Sequence, residues 1–223
     1  MQNYQKLLKQ DSIHEIWALS MCKEMGTLSQ GYKGLVEGTN TFFFMRHDEI
    51  CNILPEKTFT YARIIVDYRP QKAEPNCVRL TVGGNLLNAP GDLRTTTSDL
   101  TTYKILCNSV LSTKYAHFAC IDIKNMYLQN PMTDYEYMRI PHHLVTQESI
   151  DYYVLESNIY KEFLFCEIRK GIYGFIKDGK LANRLLKQRL ATRGYIECIH
   201  TPGLWRHIFH LKENSHSSLT ILV

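Results

Sequence analysis

The sequence has no hydrophobic run long enough to cross a membrane, since a span needs about 18 apolar residues. Its first ten residues also lack the apolar segment of a secretory signal. Seven cysteines are scattered without a close pair, which disfavours a disulfide framework and a zinc ribbon. Repeats and low-complexity tracts are absent as well. We therefore expect an intracellular globular protein, in the cytoplasm or nucleus, that is not secreted and contacts no membrane.

Charge of one sign does not dominate the chain. Its 26 basic and 22 acidic residues give a net charge of +4, and 44% of the residues are hydrophobic. This mildly basic, globular composition permits nucleic-acid binding without demonstrating it. One segment departs from the average, because residues 177–193 hold six basic residues and one acidic residue.

That basic segment has the apolar spacing of a helix. Lys180, Arg184 and Lys187 follow the spacing i, i+4 and i+7, so they would share one helix face. A solvated face and a nucleic-acid-binding face both fit this pattern.

Apolar periodicity along the chain predicts a mixed α+β fold. The predicted strands are residues 61–69, 77–82, 117–122, 163–173 and 218–223. Further helices are expected after a capping box at Ser12-x-x-Glu15, with Ile16, Leu19 and Lys23 following, and after an N-cap at Ser98.

The predicted strand 77–82 alternates in polarity. Val78, Leu80 and Val82 would lie on one face, with Arg79 and Thr81 on the other. A basic residue on the open face of such a hairpin could bind a phosphate or simply be solvated.

Two weaker patterns are better explained without a ligand. Gly174-x4-Gly179-Lys180 is close to a phosphate-binding P-loop, but Leu181 stands where that motif needs a hydroxyl. Five metal-ligand residues near the carboxyl end match no closed zinc pattern: Cys198, His200, His207, His210 and His216.

The most informative stretch is residues 117–141, HFACIDIKNMYLQNPMTDYEYMRIP. Asp122 closes an apolar strand, Tyr127 follows five residues later, and YEYMRIP comes next. This pattern resembles the reverse transcriptase domain of copia-type LTR retrotransposon polyproteins, whose palm reads roughly D-(I/V)-K-x-x-(Y/F)-L and then Y-M-x-x-P.

Three further segments extend the resemblance in the same order. VRLTVGGN at 78–85 is similar to the family's fingers strand, and RKGIYGF at 169–175 is similar to its K-x-x-Y-G-L motif. GYIECIHTPGLW at 194–205 is similar to its G-(F/Y)-x5-(D/T)-P-x-L-(F/W) motif. The resemblance runs from about Ile16 to the last residue.

The resemblance implies a right-hand polymerase fold. The fingers would comprise residues 1–97 and 130–176, and the palm residues 98–129 and 177–223. The implied activity is RNA-directed DNA polymerisation by two-metal nucleotidyl transfer, with magnesium as cofactor. The implied partners are an RNA template, a DNA primer and deoxynucleoside triphosphates.

The resemblance also assigns roles near the first palm strand. Asp122 matches the family's first metal-binding, catalytic carboxylate, and Ile123 would offer a backbone carbonyl to the magnesium-bound triphosphate. Tyr127 matches the aromatic residue that lies under the sugar and excludes a ribose 2′-hydroxyl. Lys180, Arg184 and Lys187 would then bind nucleic acid.

Basic residues of the fingers hairpin would contact the incoming nucleotide. Arg79, and with it Arg69 or Lys72, would clamp the triphosphate. Lys177 stands where the family usually has a glutamine that supports the nucleotide and template base. Because lysine cannot accept a hydrogen bond, that contact would have to change.

The end of the sequence is a second departure. The family's Asp-Asp turn should follow a strand like SLTILV, yet the sequence ends at Val223. Of three expected carboxylates, only Asp122 would then belong to this chain. We therefore expect a fragment, inactive alone, that lacks the remaining palm, the thumb and the RNase H region.

Two other interpretations stay open. The chain could be a non-catalytic, nucleic-acid-binding transposon remnant, or an unrelated basic α+β binding protein. The unrelated protein predicts that Asp122, Tyr127 and Arg79 do not converge on one cleft.

Overall fold

The computed structural model describes most of the chain. The described residues are 4–53, 55–86, 99–114, 117–120, 123–175, 177–210 and 216–222. Their α-helices are α1 Tyr4–Leu8, α2 His14–Leu28, α3 His47–Cys51, α4 Leu100–Ser112, α5 Gln147–Tyr153 and α6 Asp178–Ala191. None of these helices is long and apolar enough to cross a membrane.

The strands confirm the predicted α+β class. They are β1 Phe42–Phe44, β2 Phe59–Tyr68, β3 Asn76–Val82, β4 His117–Cys120, β5 Pro131–Pro141, β6 Phe163–Lys170, β7 Ile196–Glu197, β8 Leu204–His210 and β9 His216–Leu222. The chain divides into two compact units. The first consists of Met1–Pro90 and Tyr127–Asp178, and the second of Gly91–Met126 and Gly179–Val223.

The first unit is built on a five-stranded sheet in the order β1-β6-β5-β2-β3. Its neighbours pair antiparallel except β2 and β5, which pair in parallel. The main apolar core belongs to this unit, and its fully buried side chains include Met25, Phe42, Leu80, Met138 and Ile168. Burying this apolar surface is the main source of stability for the unit.

Helix α2 packs one of its faces into the core of the first unit. Its buried side chains include Trp17, Met21, Met25 and Leu28. Ile16 and Leu19 are instead 48% and 43% exposed.

Those two side chains line a cavity of about 230 Å³ beside Pro75 in the β2–β3 turn. The predicted capping box is also wrong, because Ile13 is the N-cap and makes no side-chain capping bond. Apolar burial outweighs a capping bond here, since one cap is worth only about 1 kcal/mol.

The β2–β3 hairpin confirms the predicted strands. Val78, Leu80 and Val82 are buried, while Arg79 and Thr81 are half-buried on the other face. The free edge of β3 is covered by polar side chains of α2. Ser20 Oγ accepts a hydrogen bond from the Val78 N–H at 3.0 Å. This bond occupies a backbone donor that an edge strand otherwise leaves open.

The second unit contains a four-stranded sheet in the order β4-β9-β8-β7. In the implied palm, the strand that leads to Asp122 would be central and antiparallel, with the strand 218–223 as its neighbour. The neighbouring position is confirmed, since Cys120 pairs with Leu222. The central, antiparallel position is wrong. The β4–β9 pairing is parallel, and β4 is an edge strand among the described residues. The long segment between these strands supplies the crossover that parallel pairing requires.

Two element boundaries differ from the prediction. Helix α4 begins at Leu100 with Asp99 as its N-cap, whose carboxylate accepts the Thr102 N–H at 2.6 Å. The predicted cap Ser98 lies outside the described residues. Strand β6 ends at Lys170, before the expected residue 173, because a turn that includes Gly174 at φ +92° follows it.

Candidate functional site

The turn at residues 171–175 is packed against the end of β3. The Val82 N–H donates to the Tyr173 carbonyl at 2.8 Å. Gly174 has φ +92°, and a Cβ there would lie 2.3 Å from the Val82 carbonyl oxygen. Only glycine tolerates both conditions, so the local backbone fixes where Tyr173 stands relative to β3.

Tyr173 brings together side chains from separate parts of the sequence. The Arg79 guanidinium carbon lies 5.5 Å from the centre of its ring. The Tyr127 ring meets it edge-on at a centroid distance of 6.0 Å. Both distances are typical of cation–π and aromatic contacts. We call Tyr173, Arg79, Tyr127 and the neighbouring Glu24 the Tyr173 cluster.

Glu24 supplies the acid of this cluster. One of its carboxylate oxygens accepts the Leu80 N–H at 3.0 Å. Burial raises the pKa of Glu24 to about 7, although the Leu80 bond and the charge of Arg79 both oppose this rise. Arg79 therefore faces a carboxyl group whose charge changes near neutral pH.

Asp178 anchors the other side of the same turn. Its carboxylate accepts the Ile172 N–H, and the residue is only 2% exposed. Burial raises the pKa of Asp178 to about 7. Its second oxygen, Oδ1, has no hydrogen-bond partner among the described residues.

The structure separates Arg79 from the other two predicted triphosphate ligands. Arg79 pairs with Ile65 within the hairpin ladder, whereas Arg69 and Lys72 lie at the turn, where the Lys72 N–H donates to the Arg69 carbonyl. The Arg69 side chain is bound to Asp67 at 2.6 Å. Since strands rise about 3.3 Å per residue, Arg69 lies about 13 Å along the hairpin from Ile65, the residue that pairs with Arg79.

Lys177 has an acidic partner on β5. Its ammonium group lies 3.6 Å from a carboxylate oxygen of Glu136, which is a buried residue. The same ammonium lies 6.0 Å from the Phe175 ring centre. These contacts offset part of the free-energy cost of burying the Glu136 carboxylate.

The basic face of α6 has the predicted spacing. Lys180, Arg184 and Lys187 are all exposed. Lys187 forms an ion pair with Glu197 at 2.6 Å. The leucines of the helix are only half-buried, and Ala182 is its buried residue beyond the first turn.

The predicted metal ligand lies outside the described residues. That ligand is Asp122. The adjoining Ile123 is half-buried and belongs to no helix or strand. Within the described ranges, no group of three or more His, Cys, Asp or Glu residues could hold a metal ion.

Sequence reasoning missed three members of this neighbourhood. Tyr173 stood inside the quoted RKGIYGF segment, so the motif carried a signal for it. Glu24 and Asp178 had no comparable signal, because nothing in the neighbouring sequence shows that these two acids become buried. Strand β5 was also missed, although Glu136, Met138 and Ile140 alternate as buried residues.

Comparisons with known proteins returned no relative. No family model matches the chain, no curated protein matches it, and no solved structure matches it. The residues and their geometry are therefore what supports a function.

Proposed function

We propose that this chain provides the fingers and part of the palm of a copia-type reverse transcriptase, an RNA-directed DNA polymerase. In this proposal the Tyr173 cluster binds the incoming deoxynucleotide. The observation that carries it is the meeting of Tyr127 and Arg79 on the Tyr173 ring. These three residues come from three of the motifs on which the resemblance rests.

The division of the chain supports the same proposal. The fingers were expected at 1–97 and 130–176, and the first unit comprises Met1–Pro90 and Tyr127–Asp178. A chain that leaves a unit and returns to it in this way fits a palm inserted between two parts of the fingers.

The neighbouring positions of β4 and β9 in the second unit support the palm. The register of β4 and β9 brings the carboxyl ends of both strands to one edge of the sheet. Asp122 follows β4 by two residues. In the proposal Asp122, with the Ile123 carbonyl, would hold magnesium, which when bound neutralises charge on the triphosphate.

The cluster residues divide the recognition of a nucleotide between them. Arg79 would bind the triphosphate through charge-assisted hydrogen bonds, with Tyr173 supporting its guanidinium. Tyr127 has an exposed ring that would pack under the sugar and exclude a 2′-hydroxyl. Glu24, when ionised, would compete with the triphosphate for Arg79.

The remaining partners follow from the same assignment. An RNA template and a DNA primer would contact the basic face of α6. The remaining palm, the thumb and the RNase H region would come from the rest of a polyprotein. Synthesis would take place inside the cell, in the cytoplasm or nucleus.

Selectivity for the sugar tests this proposal. Binding of dATP and ATP to the 223-residue chain is measured by titration calorimetry in magnesium buffer. We expect preference for dATP, retained in Tyr127→Phe and reduced about tenfold in Tyr127→Ala, since excluding one small group is worth this much. Equal selectivity in Tyr127→Ala and Tyr127→Phe would contradict the assignment.

Nucleic-acid binding without catalysis is a second candidate, which the exposed cations of α6 favour. It predicts salt-dependent duplex binding with no preference between dATP and ATP. The same titration therefore separates the two candidates.

A further inference from the structure

Asp178 is a buried acid that neither the predicted motifs nor the proposed nucleotide contacts use. It is the last residue of the first unit and the first residue of α6. One carboxylate oxygen accepts the Ile172 N–H. The other, Oδ1, is buried and without a partner among the described residues, which is an unfavourable state for a charged oxygen.

Gly171 shows what surrounds that oxygen. A Cβ on Gly171 would lie 2.6 Å from the Tyr127 carbonyl oxygen and 2.9 Å from Asp178 Oδ1. Both oxygens therefore border the same small space beside Gly171. The Tyr127 carbonyl accepts the Asn130 N–H at 3.1 Å and can accept a second donor. An ionised Oδ1 could only accept, whereas a proton on Oδ1 would allow it to donate to that carbonyl.

We propose that Asp178 is a positioning residue that acts in its neutral form. Its carboxyl group joins the two turns that carry Tyr127 and Tyr173, accepting the Ile172 N–H with one oxygen and donating from Oδ1 to the Tyr127 carbonyl. The proton stays on the carboxyl group throughout, and no bond to another atom is broken. Deprotonation removes the donor and releases the Tyr127 turn.

The surroundings of Asp178 fit a neutral group. Burial raises the pKa of Asp178 to about 7, with the Ile172 N–H opposing the rise. Titratable or charged groups on the adjoining segments are Tyr127, Tyr173, Lys170, Lys177 and Lys180. The Lys177 ammonium is paired with Glu136 at 3.6 Å, and the Lys170 ammonium donates to the Thr39 carbonyl.

The backbone amide of Asn130 can report whether the Tyr127 turn has opened. The Asn130 N–H donates to the Tyr127 carbonyl at 3.1 Å, and the Gly171 N–H donates to the Asn130 carbonyl at 2.9 Å. Loosening of the Tyr127 turn therefore exposes the Asn130 amide to exchange. Protection factors correct for the intrinsic effect of pH on exchange, so they report the opening itself.

Asp178→Asn is the informative variant. An asparagine can accept the Ile172 N–H and donate to the Tyr127 carbonyl, and it does not titrate. In the wild-type chain we expect the Asn130 protection factor to fall about tenfold between pH 6 and pH 8.5, as expected for one lost hydrogen bond. In Asp178→Asn it stays constant, and an exposed control, Asp11→Asn, behaves like the wild type.

Carbon-13 NMR of the side-chain carboxyl groups gives a second measurement. The signal that disappears in Asp178→Asn should titrate near pH 7. Titration in the ordinary range of an exposed aspartate would overturn the proposal. In that case Oδ1 is charged, and the buried Asn130 Nδ2, also without a partner among the described residues, is a candidate donor. Identical pH profiles of Asn130 protection in the wild type and Asp178→Asn would overturn it as well.

The consequence for nucleotide binding rests on the proposed function. If the Tyr173 cluster binds dATP, the dATP affinity of the wild type should weaken between pH 6 and pH 8.5, over the range in which Asn130 protection falls. The dATP affinity of Asp178→Asn should stay constant over that range. Absence of dATP binding in both proteins would contradict the proposed function alone. A wild-type dATP affinity independent of pH, while Asn130 protection falls, would overturn the positioning role.

Discussion

Basic residues are held in two different ways in this chain. Arg79 packs on the Tyr173 ring beside the half-buried Glu24, so its guanidinium has a defined position. Lys180, Arg184 and Lys187 lie exposed along one face of α6.

A cation held in a defined position can distinguish one ligand geometry from another, whereas a row of exposed cations attracts negative charge with little regard to its shape. The number of basic residues in a segment therefore does not show where a specific site lies.

The largest effect is expected from breaking the turn that holds Tyr173. Gly174→Ala places a Cβ against the Val82 carbonyl at positive φ, and we expect a loss of about 4 kcal/mol in unfolding free energy from backbone strain and overlap. Urea unfolding in a Trp205→Phe background measures it, because the fluorescence of Trp17 then reports on the first unit.

Gly34→Ala is the matched control for that loss. Gly34 also has positive φ, at +71°, but a Cβ there would meet no atom within 4 Å. We expect about 1 kcal/mol from strain alone. Equal losses in the two variants would mean that the Tyr173 turn does not depend on its contact with β3.

The second effect concerns the pH dependence of stability through Glu24. Its folded pKa of about 7 exceeds the ordinary value of 4.5, so the folded state holds its proton more tightly. This contribution is complete below pH 4.5 and is lost as pH rises through 7, amounting to about 3 kcal/mol.

Glu24→Gln removes this titration. The free energy of unfolding should therefore fall less between pH 4.5 and 8 in Glu24→Gln than in the wild type, by urea titration at each pH. Glu15→Gln, an exposed position on the same helix, should follow the wild-type curve. Superimposable curves for all three proteins would contradict the burial of Glu24.

The third effect separates the two arginines of the hairpin. Arg79→Ala should weaken dATP binding about thirtyfold, since a charge-assisted contact to phosphate is lost. Arg69→Ala should change it less than about twofold, because that side chain is engaged by Asp67 at 2.6 Å and lies at the turn. Comparable losses would place the triphosphate at the hairpin turn and not at Tyr173.

The smallest effect per residue is expected on α6. Replacing Lys180, Arg184 and Lys187 together by alanine should reduce the salt slope of duplex binding by up to about 3. The unfolding free energy should change by no more than about 1 kcal/mol, through loss of the Lys187–Glu197 ion pair. Fluorescence anisotropy at several salt concentrations measures this slope.

Charge loss elsewhere provides the control for α6. Lys6, Lys9 and Lys104 are exposed, and their joint replacement by alanine removes the same charge. An equal reduction of the slope in both triple variants would return α6 to the solvated-face interpretation.

Much of the secondary structure could be predicted from local pattern. Strands β2 and β3 alternate or run apolar over enough residues to be recognised, and the basic face of α6 follows from helical spacing. The inward face of α2 could not be predicted, because Ile16 and Trp17 are both apolar and only the packing of the sheet selects between them.

The candidate site divides in the same way. Local sequence patterns were enough to predict the α+β class, the alternation that turns Arg79 away from the core, and a tight turn at the glycine before Phe175. Each depends on neighbouring residues and on backbone geometry alone. Only the tertiary structure decided that Tyr173 receives Arg79 and Tyr127, and that Glu24 and Asp178 become buried acids. Those properties arise from contacts between distant segments, and desolvation acts on a carboxyl group only when such contacts have formed.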